Sequence, residues 1–287
     1  MTRRTLARCV SSAFCLLALA APAALAGHEL PFYPSYYPQE IRLEALKAAA
    51  AAPLLAKSTL HAFIGGDPFA GGRAPANVTP VESLSGYVIL AFNPTSPAVR
   101  TREARCAAAV SVAQGLAPAP GAWVPHPYPI TPFHDDYLEH YDLAQAAKQR
   151  FQQRPAQPGP ALKLRARGPV AQRLLKGPPG DDRAWDATLE EVEAPNVVTT
   201  PATESNGWLG PVWVKQGWFG AWALAFPAIT DAAARHTAEG LYRRLTGGAY
   251  GSQAERLDLG RRLVAALGAG CERVVLGYTL RREYFNS

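Results

Sequence analysis

The chain contains no Gly-x-Ser-x-Gly, no Ser-x-x-Lys and no Gly-x-x-x-x-Gly-Lys, so the local signatures of serine nucleophiles and phosphate-cradling loops are missing. It also lacks Cys-x-x-Cys-His, which excludes covalent c-type haem, and His-Glu-x-x-His, which removes the commonest zinc-hydrolase pattern. No repeat of 20–50 residues recurs along it. Four cysteines are few for 287 residues, and two of them, Cys9 and Cys15, fall in the first segment.

That segment is the clearest feature present. Basic residues Arg3, Arg4 and Arg8 precede an uncharged run from Cys9 to Ala21, and Ala24-Leu25-Ala26 gives a small-x-small cleavage pattern. Residues 1–26 therefore read as a secretory signal peptide, too short in its apolar run to span a bilayer as a helix of ~20 residues. Gly27 after it is not the cysteine that a lipid anchor needs, and the expected compartment is an oxidising periplasm. The formal net charge of +6 becomes +3 once three arginines leave with the leader, so composition offers no support for nucleic-acid binding. Cys106 and Cys271 are then the cysteines of the mature chain, and in an oxidising space they are expected to form one disulfide.

Organisation follows from composition. Residues 155–183 are rich in Pro, Gly and Lys/Arg and read as a connector between an N-terminal lobe, 27–154, and a Trp-rich lobe, 184–287. The basic run leaves contact with a membrane surface or an acidic partner open, and the acidic stretch after it, Asp181 to Glu193, can neutralise it. Helices are expected near 38–51, from 96 to 115, over 132–150, from Thr230-Asp231 to 245 and from Ser252 to 267. Strands are expected at 60–66, 87–92, 122–124 and 274–284. The alternation predicts an α/β or α+β fold, a mixed sheet flanked by helices.

Two stretches carry candidate chemistry. Residues 134–142, His-Asp-Asp-Tyr-Leu-Glu-His-Tyr-Asp, place two imidazoles and four carboxylates in nine positions. On a helix started by Thr131 and Pro132, Asp136 and His140 are neighbours at i, i+4, and His126 in the preceding proline-rich loop is the nearest third ligand for a divalent transition metal such as zinc. A second candidate is copper at Gly27-His28. The other stretch, 207–229, holds Trp208, Trp213, Trp218 and Trp222, four of the six tryptophans, with Lys215 and Gln216 as its strongly polar members. It reads either as a buried helix, as a membrane span broken by glycine and proline, or as an aromatic surface that receives a ligand or a periplasmic protein partner. The function expected on these grounds is a non-catalytic, exported binding protein. The alternative is a metal-dependent enzyme using Asp136, His140 and His126.

Overall fold

The computed structural model describes residues 40–69, 72–153, 161–175, 184–194 and 212–286. Two compact units divide the chain, Met1–Ala45 and Leu46–Ser287. Of the first, residues 40–45 are described; they are coil, with an exposed Arg42–Glu40 ion pair of 2.8 Å. The leader, Gly27-His28 and Trp208 lie outside the described residues.

The second unit is a mixed six-stranded sheet covered by helices, as the sequence pattern predicts. Its strands are β1 (Ala62–Phe63), β2 (Val78–Phe92), β3 (Val124–Pro125), β4 (Leu164–Arg167), β5 (Ala187–Glu193) and β6 (Arg273–Asn286). The order is β1-β6-β2-β5-β4, antiparallel except for β4 beside β5, and β3 pairs with β6 as well. The helices are α1 (Ala48–Ala56), α2 (Arg102–Gly115), α3 (Tyr141–Gln152), α4 (Pro169–Leu174), α5 (Gly217–Ala225), α6 (Ala232–Thr246) and α7 (Gln253–Gly268).

Strand β2 shows how sequence becomes layer. Val88, Leu90 and Phe92 pack with α2 and α4, while the alternate residues Tyr87 and Ile89 pack with Leu224 of α5. Every residue from Tyr87 to Leu90 is at most 2% exposed, which explains why this run is continuously apolar instead of alternating. Asn93 stops it: its backbone N–H donates to Asp186 and its side-chain amide to Trp185, each at 2.8 Å.

Several boundaries move. The first helix begins at Ala48, not near 38, and presents Ala51 and Leu55 to Phe63, Val78 and Tyr284. The division into two lobes is not what the structure shows: β2, from before the connector, pairs with β5 and β6, from after it, within one compact unit. Within the connector, 164–167 adds the edge strand β4 and Pro169 opens the short helix α4, so these residues belong to the sheet layer. The acidic stretch likewise supplies β5, where Glu190 meets Arg273 and Glu191 accepts from the N–H of Val170 at 3.1 Å. Ladder hydrogen bonds satisfy the backbone whether the side chains are charged or apolar, so composition misses such strands. Cys106 and Cys271 are joined, with Cα atoms 5.4 Å apart, tying α2 to the start of β6. Among the described residues no helix is long and apolar enough to cross a membrane.

Candidate functional site

The acidic, histidine-rich stretch is not a continuous helix. Residues 132–137 form turns, Leu138–His140 is a single 3-10 turn, and α3 begins at Tyr141. Tertiary partners override helix propensity here. The Thr131 N–H donates to His134 Nδ1 at 2.9 Å, which fixes the proton on Nε2, and that nitrogen lies 3.1 Å from the Tyr87 hydroxyl. Asp136, 2% exposed, reaches across to the start of α5, where Oδ1 accepts from Gly217 N–H at 2.6 Å and Oδ2 from Trp218 N–H at 3.2 Å. A carboxylate on two orphan amides at a helix N-terminus satisfies both and meets the positive end of the dipole. Gly217 permits the approach: a Cβ there would lie 2.6 Å from Ile130 Cγ2 and 3.0 Å from Asp136 Oδ1.

His140 completes this knot. It is 1% exposed, its Nδ1 sits 2.8 Å from the Tyr128 hydroxyl, and its Nε2 is 3.9 Å from Asp136 Oδ2. The carboxylate opposite Nε2 favours the ring proton on that nitrogen, which leaves Nδ1 to accept from the phenol. Burial lowers the His140 pKa to about 4, the nearby Asp136 opposing and Arg261 assisting. Burial likewise lowers His134 and His126, and raises the Tyr87 and Tyr128 phenols above their ordinary range. Asp142 and Glu139 hold α7 in place: Arg261 makes two bonds to Asp142, at 2.7 and 2.6 Å, and Arg256 lies 3.5 Å from Glu139.

The expected metal set is placed differently. His126 Nε2 is 2.9 Å from the Ile130 carbonyl, and its ring packs beside Tyr137 and Tyr278. Asp136 spends both oxygens on amides and His140 its Nδ1 on Tyr128. Among the described residues no three His, Cys, Asp or Glu side chains are grouped to hold a metal ion.

Of the three described tryptophans of this stretch, Trp218 lies in the core, and Trp213 and Trp222 pack against it half-buried. Trp218 is 3% exposed and its indole N–H donates to Gln216 Oε1 at 2.6 Å, an oxygen that also accepts from Arg256 at 2.7 Å. Trp213 packs on Phe219 with ring centres 4.9 Å apart. Trp222, half-buried, is stacked between Phe226 and Tyr242, at 3.6 and 4.1 Å. The described rings of this stretch therefore pack on one another, with Trp218 and Trp222 also against Tyr242 of α6. Trp218 in particular has no open surface to offer a partner.

What sequence reasoning missed is a cavity of about 740 Å³ on the other side of α5. Ile89 and Val275 of the sheet form part of its lining, and α2, α3, α5 and α7 contribute Val110, Ala147, Ala221 and Val264 among others. The small residues Ala221 and Ala225 leave the space that the indoles of the same helix do not fill. Tyr128 lines the cavity while its hydroxyl is held by His140, and the Cys106–Cys271 bridge forms part of the wall. Its charged lining residues are Arg102, Arg150 and Arg273, with no carboxylate among the described residues that line it. Arg273 is already committed, to the Leu224 carbonyl at 2.7 Å and to Glu190. The signal that was available is the density of alanine in α3, α5 and α7, which short apolar side chains make a poor filler of interhelical space.

No family model and no curated protein matches the chain. Solved structures do resemble it. An ABC transporter substrate-binding protein, CtaP from Listeria monocytogenes, aligns at 10% identity and a TM-score of 0.43, covering 83% of this chain and 53% of its own. NikA from Staphylococcus aureus in complex with Ni(L-His)2 gives 14%, 0.42, 84% and 56% in the same order. The oligopeptide-binding protein AppA from Bacillus subtilis, in complex with a nonapeptide, gives 12%, 0.36, 84% and 54%. The chain thus covers little more than half the length of these proteins, and likeness of this degree assigns it neither ligand nor activity.

Proposed function

We propose that this chain is a non-catalytic binding protein that holds a small, largely apolar ligand in the cavity beneath α5. One observation carries the reading: a space of about 740 Å³, walled by apolar side chains of four helices and the sheet, within the ~300–1,000 Å³ of small-molecule sites. A concave space of this size with a mostly apolar lining is where a small molecule loses most of its contact with water. The polar knot beside it supports the same reading. Its groups are engaged with one another or with the α5 amides, which gives the cavity wall a fixed position. The leader pattern of residues 1–26 supports export, and the Cys106–Cys271 bridge suits an oxidising compartment.

The test uses an uncharged fluorescent probe, N-phenyl-1-naphthylamine. It is expected to bind one per chain with a rise in emission, and to lose that binding when Ala146→Trp or Ala265→Trp fills the exposed end of the cavity. Circular dichroism melting checks that both variants stay folded. Undiminished probe binding to two folded variants overturns the proposal.

A further inference from the structure

We infer that the cavity recognises an amphipathic anion, a hydrocarbon body ending in one carboxylate, with Arg102 and Arg150 holding the carboxylate at the mouth. The inference rests on the binding reading above and adds the class of ligand. Of the three arginines lining the cavity, Arg273 is neutralised by Glu190 and tied to a main-chain carbonyl, so its charge is spent inside the protein. The other two are exposed and, among the described residues, have no carboxylate partner. Arg102 donates Nε to the Ala269 carbonyl at 2.6 Å, which orients the guanidinium without cancelling its charge. The guanidinium carbon of Arg150 lies 5.8 Å from the centre of the Phe151 ring, itself a lining residue.

Position adds to charge. Arg102 is the first residue of α2, behind the cap Thr101, at the helix end where the dipole is positive and a basic side chain is disfavoured. Glu103 follows it but does not line the cavity. A cation at the positive end of a helix, lining the same apolar space as a second cation that has no carboxylate partner among the described residues, is an arrangement that a bound anion stabilises. A planar carboxylate matches the guanidinium fork in a way that an alcohol or an ammonium does not. The apolar lining, Ile89, Val110, Val264 and Val275 among it, takes the hydrocarbon part out of water.

Competition against the neutral probe tests this, using decanoate, decanol and decyltrimethylammonium, each below its aggregation concentration. Decanoate is expected to displace the probe about tenfold more tightly than decanol, with the cation weakest. In the double variant Arg102→Gln/Arg150→Gln that preference should vanish, decanoate competing no better than decanol on the same variant. Equal affinity of decanoate and decanol, or a preference that survives in the double variant, overturns the assignment. Failure of all three to compete, with probe binding still abolished by Ala146→Trp, overturns the ligand class and leaves the cavity reading standing. Probe binding that Ala146→Trp and Ala265→Trp both fail to diminish overturns the cavity reading itself.

Discussion

Two regions flank helix α5 and look opposite in sequence and in structure. The knot at its N-terminus, built from Tyr128, His134, Asp136 and His140, is dense in the residue types that do chemistry, yet each of these makes a polar contact to another group of the protein. The cavity on the flank of the same helix is lined by alanine, valine, leucine and isoleucine with three arginines, and it is the space that remains unfilled. The contrast teaches that a polar cluster whose centre, Asp136 and His140, is 1–2% exposed is spent on its own satisfaction, because an unpaired buried polar group costs ~1–3 kcal/mol. Ligand capacity accumulates where side chains are too short to meet.

The comparison can be broken most decisively at Asp136. Asp136→Ala removes the acceptor of two buried amides and the neighbour of His140, and is expected to cost ~3–5 kcal/mol in denaturant unfolding. A loss below ~1 kcal/mol would mean that the carboxylate is held in place for chemistry and not for the fold. The same substitution should weaken probe binding only through unfolding, since Asp136 does not line the cavity.

Acid sharpens the contrast next. The His140 pKa is lowered from 6.5 to about 4 in the folded state, mainly by burial, and His134 and His126 move in the same direction. Between those values the unfolded chain takes up protons that the folded chain refuses. Stability from this source is therefore complete above pH 6.5 and falls as the pH drops toward 4. Asp142, lowered to about 2 by its hydrogen bond to Arg261, titrates below that window and does not mask it. The melting temperature should fall progressively from pH 6.5 to 4, and His140→Gln should flatten the curve. A profile as steep in the variant as in the parent would sink the account of His140.

The smallest effect is expected on the cavity side. Leu143→Ala, at a half-buried wall position, should cost ~1 kcal/mol, below the ~2–5 kcal/mol of an enclosed leucine, because part of its surface faces space with no contacts to lose. A loss of the full enclosed size would show that the cavity closes in solution.

Much of the scaffold was legible. The caps Asp231 and Ser252 mark α6 and α7 within a residue or two, each accepting from the backbone N–H three positions on, because capping is a local hydrogen bond that local sequence encodes. The continuous apolar run 87–92 reads as a strand covered on both faces, and two cysteines in a chain expected to be exported read as a bridge. Strands β4 and β5 were hidden because their residues are basic and acidic, and their pairing depends on partners 20 or more residues away.

What the sequence by itself determined, then, is the set of local choices: caps, turns, the buried period of β2 and the pairing of Asp136 with His140 as near neighbours. Tertiary structure alone decided what those residues are for. Asp136 sits 81 residues before the helix amides it caps, and no periodicity within 134–142 can register that distance. The cavity is a still more collective property. It arises from gaps among α2, α3, α5 and α7, each ordinary by itself, and Arg102 and Arg150, 48 positions apart, line the same space. Empty volume is a relation between surfaces, and a linear order of side chains carries no record of it until the chain has packed.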